Sequence, residues 1–176
     1  ATAAAMRNLN EMSKPTVALV HGFCVGGGTG LVASCDVVIA ERGATFAISE
    51  ARWGMAATII FPQLVAAMGI RNVRRYALSG ERFDARRAEV LGLVHEVCQP
   101  GQLDACAAPI IDALLKIAPQ AQALSKLSAL RCAHAMIDDE LFETLVAEHA
   151  GKRRSAEAAE GLASFAEKRE GAWYRR

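Results

Sequence analysis

No two of the five cysteines (Cys24, Cys35, Cys98, Cys106 and Cys132) stand in CxxC spacing, and their number is odd. Neither a disulfide framework nor a zinc site is therefore expected, and the thiols read as free groups of a reducing compartment, the cytoplasm. The four histidines (His21, His95, His134 and His149) form neither an HExxH nor an HxH cluster, so no metal is expected from them. An excess of charge of one sign is also lacking. Twenty Lys and Arg stand against 19 Asp and Glu, a formal net charge of +1, which leaves no footing for nucleic acid or an anionic membrane as partner. No apolar run approaches the length needed to span a bilayer. The opening "ATAAAMRNLNEM" has no charged region followed by an apolar one, as a secretory leader would. Internal repeats, low-complexity tracts and Pro- or Gly-rich linkers are likewise missing.

What is present is a chain of 176 residues, 52% hydrophobic and 22% charged, enough for one domain with a real core. Met6, Leu9 and Met12 recur at three-residue spacing, which reads as the tail of a helix that Pro15 ends. A domain rarely begins in mid-element, so a further N-terminal part is expected. "TVALVHG" reads as a buried strand, "VGGGTG" as a turn and "GTGLVASC" as a short, tightly packed helix. "DVVIAE" and "ATFAIS" follow as strands, and "FPQLVAAMG" opens a helical stretch. "IRNVRRYALSG" is an amphipathic helix closed by Gly80, and "DARRAEVLG" has Asp84 as N-cap and Gly92 as stop. "LVHEV" is a last short strand, after which helices are expected over roughly 101–117, 119–135, 138–150 and 153–169. The fold class is α/β, strand-rich first and helix-rich later. The tail "EKREGAWYRR" is charged and aromatic, unlike a frayed end.

The run Gly26-Gly27-Gly28 carries the first chemical signal. Glycines permit positive φ and let a ligand approach backbone N–H groups with no Cβ in the way. A helix follows at once, and its first N–H groups have no internal partner and carry the positive end of its dipole. Such a turn either holds an anion, or an oxygen that becomes one during reaction, or is a bare packing turn. A dinucleotide site is a weaker reading, because "GFCVGGG" does not set GxGxxG in register, and no Gly-Lys followed by Ser or Thr makes a phosphate-binding loop.

The longer stretch "KPTVALVHGFCVGGGTGLVASCDVVIAERGATFAISEARWGM" resembles the signature of the crotonase superfamily, the enoyl-CoA hydratases and isomerases. Lys14, Pro15, Gly22, the three glycines, Leu31, Cys35, Asp36, Ala40, Phe46 and Glu50 carry the likeness, and "LSGERFDARRAEVLGLVHEV" and "GLASFAEKRE" extend it along the chain. The resemblance implies a spiral of ββα turns, here its C-terminal part over residues 1–98, and a helical region over 99–176 that meets coenzyme A and assembles trimers or dimers of trimers. It implies an acyl-CoA thioester as substrate and no separate cofactor. It makes the Gly27 N–H one of two donors to the thioester oxygen, flanked by Gly26 and Gly28, and places the other donor in a segment before Ala1. Glu50 becomes the general acid and base, its alternative being a surface or helix-start glutamate.

Where two-carboxylate hydratases carry their first acid, this chain has Gly30. Three outcomes stay open: Glu50 does both jobs in a syn addition of water, it shuttles a proton as an isomerase does, or the substrate supplies the missing group. "GGGTGL" with "FAISEARWG" is similar to a branch that hydrates branched glutaconyl-CoA thioesters, of the 3-methylglutaconyl and isohexenylglutaconyl kind, whose substrates bear a second carboxylate. In that reading Gly30 removes bulk and a repelling charge. Arg52, two residues beyond Glu50 and on the same side if the segment is extended, is either a clamp for the free carboxylate or a surface or interface ion pair. Trp53 stands beside the acid. "GMAATIIFPQL" lacks the glycines usual after the acid, which alters the pocket wall. Lys168 and Phe165 match residues that meet the phosphates and adenine of coenzyme A, Lys168 otherwise lying on a solvated face. His21 reads as structural, and Asp36 as a backbone acceptor at a strand start.

Overall fold

The computed structural model describes residues 2–133 and 135–175. Among them the chain divides into two compact units. The first holds the residues up to Glu11 together with Thr16–Pro109, and the second holds Met12–Pro15 with Ile110 onward. The last strand ends at Cys98, where the sequence reading placed its boundary, whereas the division by compactness falls inside the following helix.

The first unit opens with α1 (Thr2–Glu11), whose Met6 is its buried residue. Strand β1 (Val17–Val20) follows, then β2 (Phe23–Val25), α2 (Gly27–Ala33), β3 (Val37–Glu41) and β4 (Thr45–Ala47). A 3-10 turn spans Glu50–Trp53 and a second spans Thr58–Ile60. Helices α3 (Phe61–Met68) and α4 (Ile70–Ser79) come next, then the two-residue β5 (Phe83–Asp84), α5 (Ala85–Leu91), β6 (Glu96–Cys98) and the start of α6 (Leu103–Lys116). The capping expected for this stretch is in place. Gly80 closes α4 and Gly92 closes α5 in left-handed conformation, and the Arg87 N–H donates to Asp84 Oδ1 over 2.7 Å.

Two three-stranded sheets result, ordered β1-β3-β6 and β2-β4-β5. All pairs are parallel except β4 with β5. Parallel neighbours need a crossover, and the segment from β1 to β3 supplies one that carries β2 and α2 with it. Asp36 pins the start of β3 to the start of β1: its Oδ2 accepts from the Thr16 N–H at 2.7 Å and from the Thr16 hydroxyl at 2.9 Å. Leu64, Ile60, Phe46, Ile48, Ile39 and Met6 are fully buried in the core. Phe83 joins Phe46 at 5.7 Å between ring centroids and Tyr76 at 4.3 Å. Each such large side chain contributes about 1.5–3 kcal/mol by leaving water.

The strand expected over "TVALVHG" stops at Val20, and β2 forms between that run and the glycines, sharing only Val25 with the expected turn. Its three residues are too few to show a period of two, and pairing with β4 creates the strand.

The second unit is helical: α7 (Pro119–Cys132), α8 (Asp139–Arg153) and α9 (Ala156–Ala166). The expected extension of α7 to residue 135 passes through His134, which lies outside the described residues; the helix ends at Cys132. Asp138 and Ser155 cap α8 and α9 through the N–H groups of Leu141 and Ala158. The aromatic tail is docked, the Trp173 indole donating to Lys116 O at 2.9 Å and the Tyr174 hydroxyl pairing with Asp112.

Candidate active site

Strand β2 leads straight into the glycine run. Gly26 takes φ 58° and ψ −125°, a conformation for which glycine alone is unstrained. Its N–H donates to Ala47 O at 2.9 Å, tying the turn to the end of β4. Its carbonyl is consumed by Thr29, which donates its N–H at 2.9 Å and its hydroxyl at 2.6 Å. Thr29 is fully buried, and this double bond holds the turn in shape. The N–H groups of Gly27 and Gly28 open α2 and meet no acceptor among the described residues. The chain thus presents backbone donors at a point where no Cβ shields them.

The register Val25↔Ala47 carries the chain beyond β4 past this turn. Ile48 is buried, Ser49 follows, and Glu50 starts the first 3-10 turn. Its carboxylate lies over Gly26, Oε1 being 3.1 Å and Oε2 3.7 Å from the point a Gly26 Cβ would occupy. Glu50 Oε2 is buried and has no hydrogen-bond partner among the described residues. A buried oxygen left unpaired costs stability, and such costs gather where a ligand completes the set. An acid and free backbone donors side by side can move a proton while steadying charge on a carbonyl oxygen.

Gly30, expected in the binding surface, is buried. A Cβ there would stand 2.2 Å from Ile60 Cγ2 and 2.6 Å from Ile60 Cβ, with Met6 Cε at 3.1 Å. Its vacant side-chain space is filled by Ile60, so Gly30 does not face an open pocket. Gly28 has ordinary room, with Cys24 Sγ 3.7 Å from its own missing Cβ.

The extended segment that would have set Arg52 beside Glu50 is not found. The residues form a 3-10 turn, in which positions two apart point to different sides. Arg52 runs over the C-terminal end of α4, where its Nε lies 2.7 Å from the site of a Gly80 Cβ. A guanidinium suits a helix C-terminus, and glycine at position 80 makes the room. Arg52 also lines a cleft of about 210 Å³ with Ser49, Trp53, Val25 and Arg82. Neither Arg52 nor Arg82 has an ion-pair partner among the described residues, although Arg82 stacks 5.5 Å above the Phe23 ring. Trp53 is 75% exposed, whereas Ile48, two residues before Glu50, is buried.

The two coenzyme A candidates belong to the second unit. Phe165 sits in the last turn of α9, 84% exposed, and Lys168 follows at φ 55°, the one positive φ among the described non-glycine residues. The structure therefore brings Gly26, Gly27 and Glu50 together and turns Arg52 to a neighbouring cleft. The sequence reading missed Ile60, Thr29 and Arg82. For Ile60 a signal existed, the run "GMAATIIFPQL" without the glycines usual after the acid.

Among the described residues no three His, Cys, Asp or Glu side chains gather as a metal ion would require. No helix of the described residues is long and apolar enough to cross a membrane.

A family model described as Enoyl-CoA hydratase/isomerase matches residues 2–176. The chain belongs to the enoyl-CoA hydratase/isomerase family. It is 36% identical over 164 residues to the mevalonyl-coenzyme A hydratase sidH of Aspergillus fumigatus, covering 92% of this chain and 60% of that protein. It is 31% identical to the mitochondrial Delta(3,5)-Delta(2,4)-dienoyl-CoA isomerase of Dictyostelium discoideum, covering 95% of this chain and 57% of that one. The crystal structure of an enoyl-CoA hydratase from Shewanella pealeana superposes with a TM-score of 0.93 at 39% identity, over 98% of this chain and 64% of that one. This enoyl-CoA hydratase/isomerase chain thus spans about three fifths of the length of the curated relatives it matches.

Proposed function

We propose that the protein carrying this chain is a hydratase-type lyase that adds water across the C2=C3 double bond of a 2-enoyl-CoA. The observation that carries the reading is the unpartnered, buried Oε2 of Glu50, set against Gly26 beside the unused Gly27 N–H. The Gly27 N–H steadies the thioester oxygen as it gains charge. One donor of this kind is worth about 3–4 kcal/mol of barrier. Glu50 takes a proton from the water that bonds to C3 and returns a proton to C2, so that the two additions fall on one face.

The acyl group we infer is a branched glutaconyl, of the 3-methylglutaconyl or isohexenylglutaconyl kind. The cleft beside the acid supports it, because Arg52 and Arg82, without ion-pair partners among the described residues, offer two guanidinium groups to a second carboxylate. Phe165 and Lys168 are proposed to meet coenzyme A. Helices α7 and α8 bury none of their residues, and exposed Phe142, Val146, Leu127 and Leu130 lie on them. That supports a homo-oligomer, a trimer or a dimer of trimers, with these faces covered by other copies. Exposure of 3-methylglutaconyl-CoA and crotonyl-CoA to the natural protein, followed by loss of the enoyl-thioester absorbance, tests the reading. Turnover of the first well above the second is expected, and hydration of neither would overturn it.

One observation favours a second reading. With Gly30 in place of a second acid, a single carboxylate is what a Δ3–Δ2 enoyl-CoA isomerase needs, and a 3-enoyl-CoA that isomerises without taking up water would select it. Acyl-CoA binding without turnover would instead select a non-catalytic member of the family.

A further inference from the structure

Gly26 is the N-cap of α2 and Gly30 lies in its first turn. Above Gly26 stands the Glu50 carboxylate, and above Gly30 stands Ile60. Ile60 is the last residue of the Thr58–Ile60 turn and is fully buried. Its Cγ2 and Cβ occupy the space a side chain at position 30 would enter, at 2.2 and 2.6 Å from the missing Cβ. Both contacts are far inside van der Waals separation, and both atoms are held close to the backbone. They do not yield as the tip of a flexible chain would; the Met6 methyl at 3.1 Å does.

We propose that Ile60 and Gly30 are one specificity determinant. Ile60 fills the second acid's place, keeps Glu50 as the site's sole carboxylate and puts an apolar wall next to it. The inference rests on the single-acid reading above and names the residue that enforces it. A protein whose position 30 is sealed cannot hold water between two carboxylates. It therefore favours a substrate that brings its own charged group, and loses ground on a plain enoyl chain. The determinant is the pair, since a carboxylate introduced at 30 has nowhere to go while Ile60 remains.

The test has two arms. In the first, melting temperatures are measured for Gly30→Ala, Ile60→Gly and the double variant. Glycine is needed at 60 because alanine would leave its own Cβ 2.6 Å from the intruding carbon. Gly30→Ala alone is expected to melt about 5 °C lower, and to cost nothing when Ile60 is already glycine. An equal penalty in both backgrounds would overturn the pairing. This arm reads without any activity, so it stands apart from failure of the hydratase reading. In the second arm, Gly30→Glu/Ile60→Gly is compared with Ile60→Gly on crotonyl-CoA. A gain of about tenfold or more in kcat/KM, with a second acidic ionisation in its pH profile, is expected. A folded double variant with neither change would overturn the assignment of specificity to the pair.

Discussion

The Glu50 carboxylate rests on Gly26, with Oε1 3.1 Å from the position of a Cβ that glycine does not have. One residue supplies the acid and the other supplies the room for it.

Replacing Glu50 by Gln keeps the shape and removes the proposed proton carrier. Turnover of an enoyl-CoA is expected to fall by about 10²–10⁴-fold in kcat, with little change in KM or melting temperature. Steady-state kinetics and a thermal melt on the same sample check it. Unchanged kcat would remove Glu50 from the chemistry.

Gly26→Ala should strain the turn and push the acid away. This sparsely populated backbone conformation costs about 1–3 kcal/mol in a residue with a Cβ, and a misplacement of the acid near 1 Å is worth about 10²-fold in rate. Both a lower melting temperature and a lower kcat are expected, unlike the Glu50→Gln pattern, where only kcat moves.

Asp36→Ala would free the Thr16 N–H and hydroxyl at the joint between β1 and β3. A loss of about 1–3 kcal/mol in unfolding free energy is expected, measurable by urea denaturation. Because Asp36 lies away from Glu50 in its role, kcat per folded molecule should not change.

Burial pushes the Cys24 thiol up to about 11 from an ordinary value of 9.0. The folded state therefore holds its proton where the unfolded chain has released it. Stability from this group is full below pH 9 and is lost as pH rises through about 11. Cys24→Ala should flatten that part of the stability curve, and iodoacetamide should reach Cys24 at pH 8 only on unfolding.

In the helical unit, burial works against ionising Glu157, but the Lys152 ammonium and the N–H groups of Gln120 and Ala121 outweigh it and lower its pKa. A carboxyl whose folded pKa is depressed stabilises above its unfolded value and loses that contribution as pH falls through the folded one. Circular dichroism should show the helices melting more readily as the pH drops below about 4.5, the ordinary glutamate value. Glu157→Gln should start from lower stability at pH 7 and lose less on acidification.

Much of this was legible beforehand because local chemistry decided it. Gly80, Gly92 and Asp84 end or begin helices through their own backbone freedom or hydrogen bonding, and they did so where read. Asp36 was read as a backbone acceptor at a strand start, and it binds Thr16. β2 and β5 were not legible, since strands of three and two residues exist only through their partners. The curl at Glu50–Trp53 closes on local hydrogen bonds, from the Arg52 N–H to Ser49 O and the Gly54 N–H to Ala51 O, but no residue type in the run dictates it over an extended segment, so the direction of Arg52 was not legible either. Gly30 was noticed, but what fills its space comes from thirty residues further on.

The sequence by itself determined the family and the glycine turn and pointed to Glu50 as the proposed acid, because each is a local run whose residue types are demanded by backbone conformation or by proton chemistry. Only the tertiary structure decided that Ile60 seals Gly30, that Arg52 turns to α4, and that Glu50 Oε2 is left unpaired. Those are contacts between segments remote in the chain, and close packing of the folded interior, not any local preference, selects them.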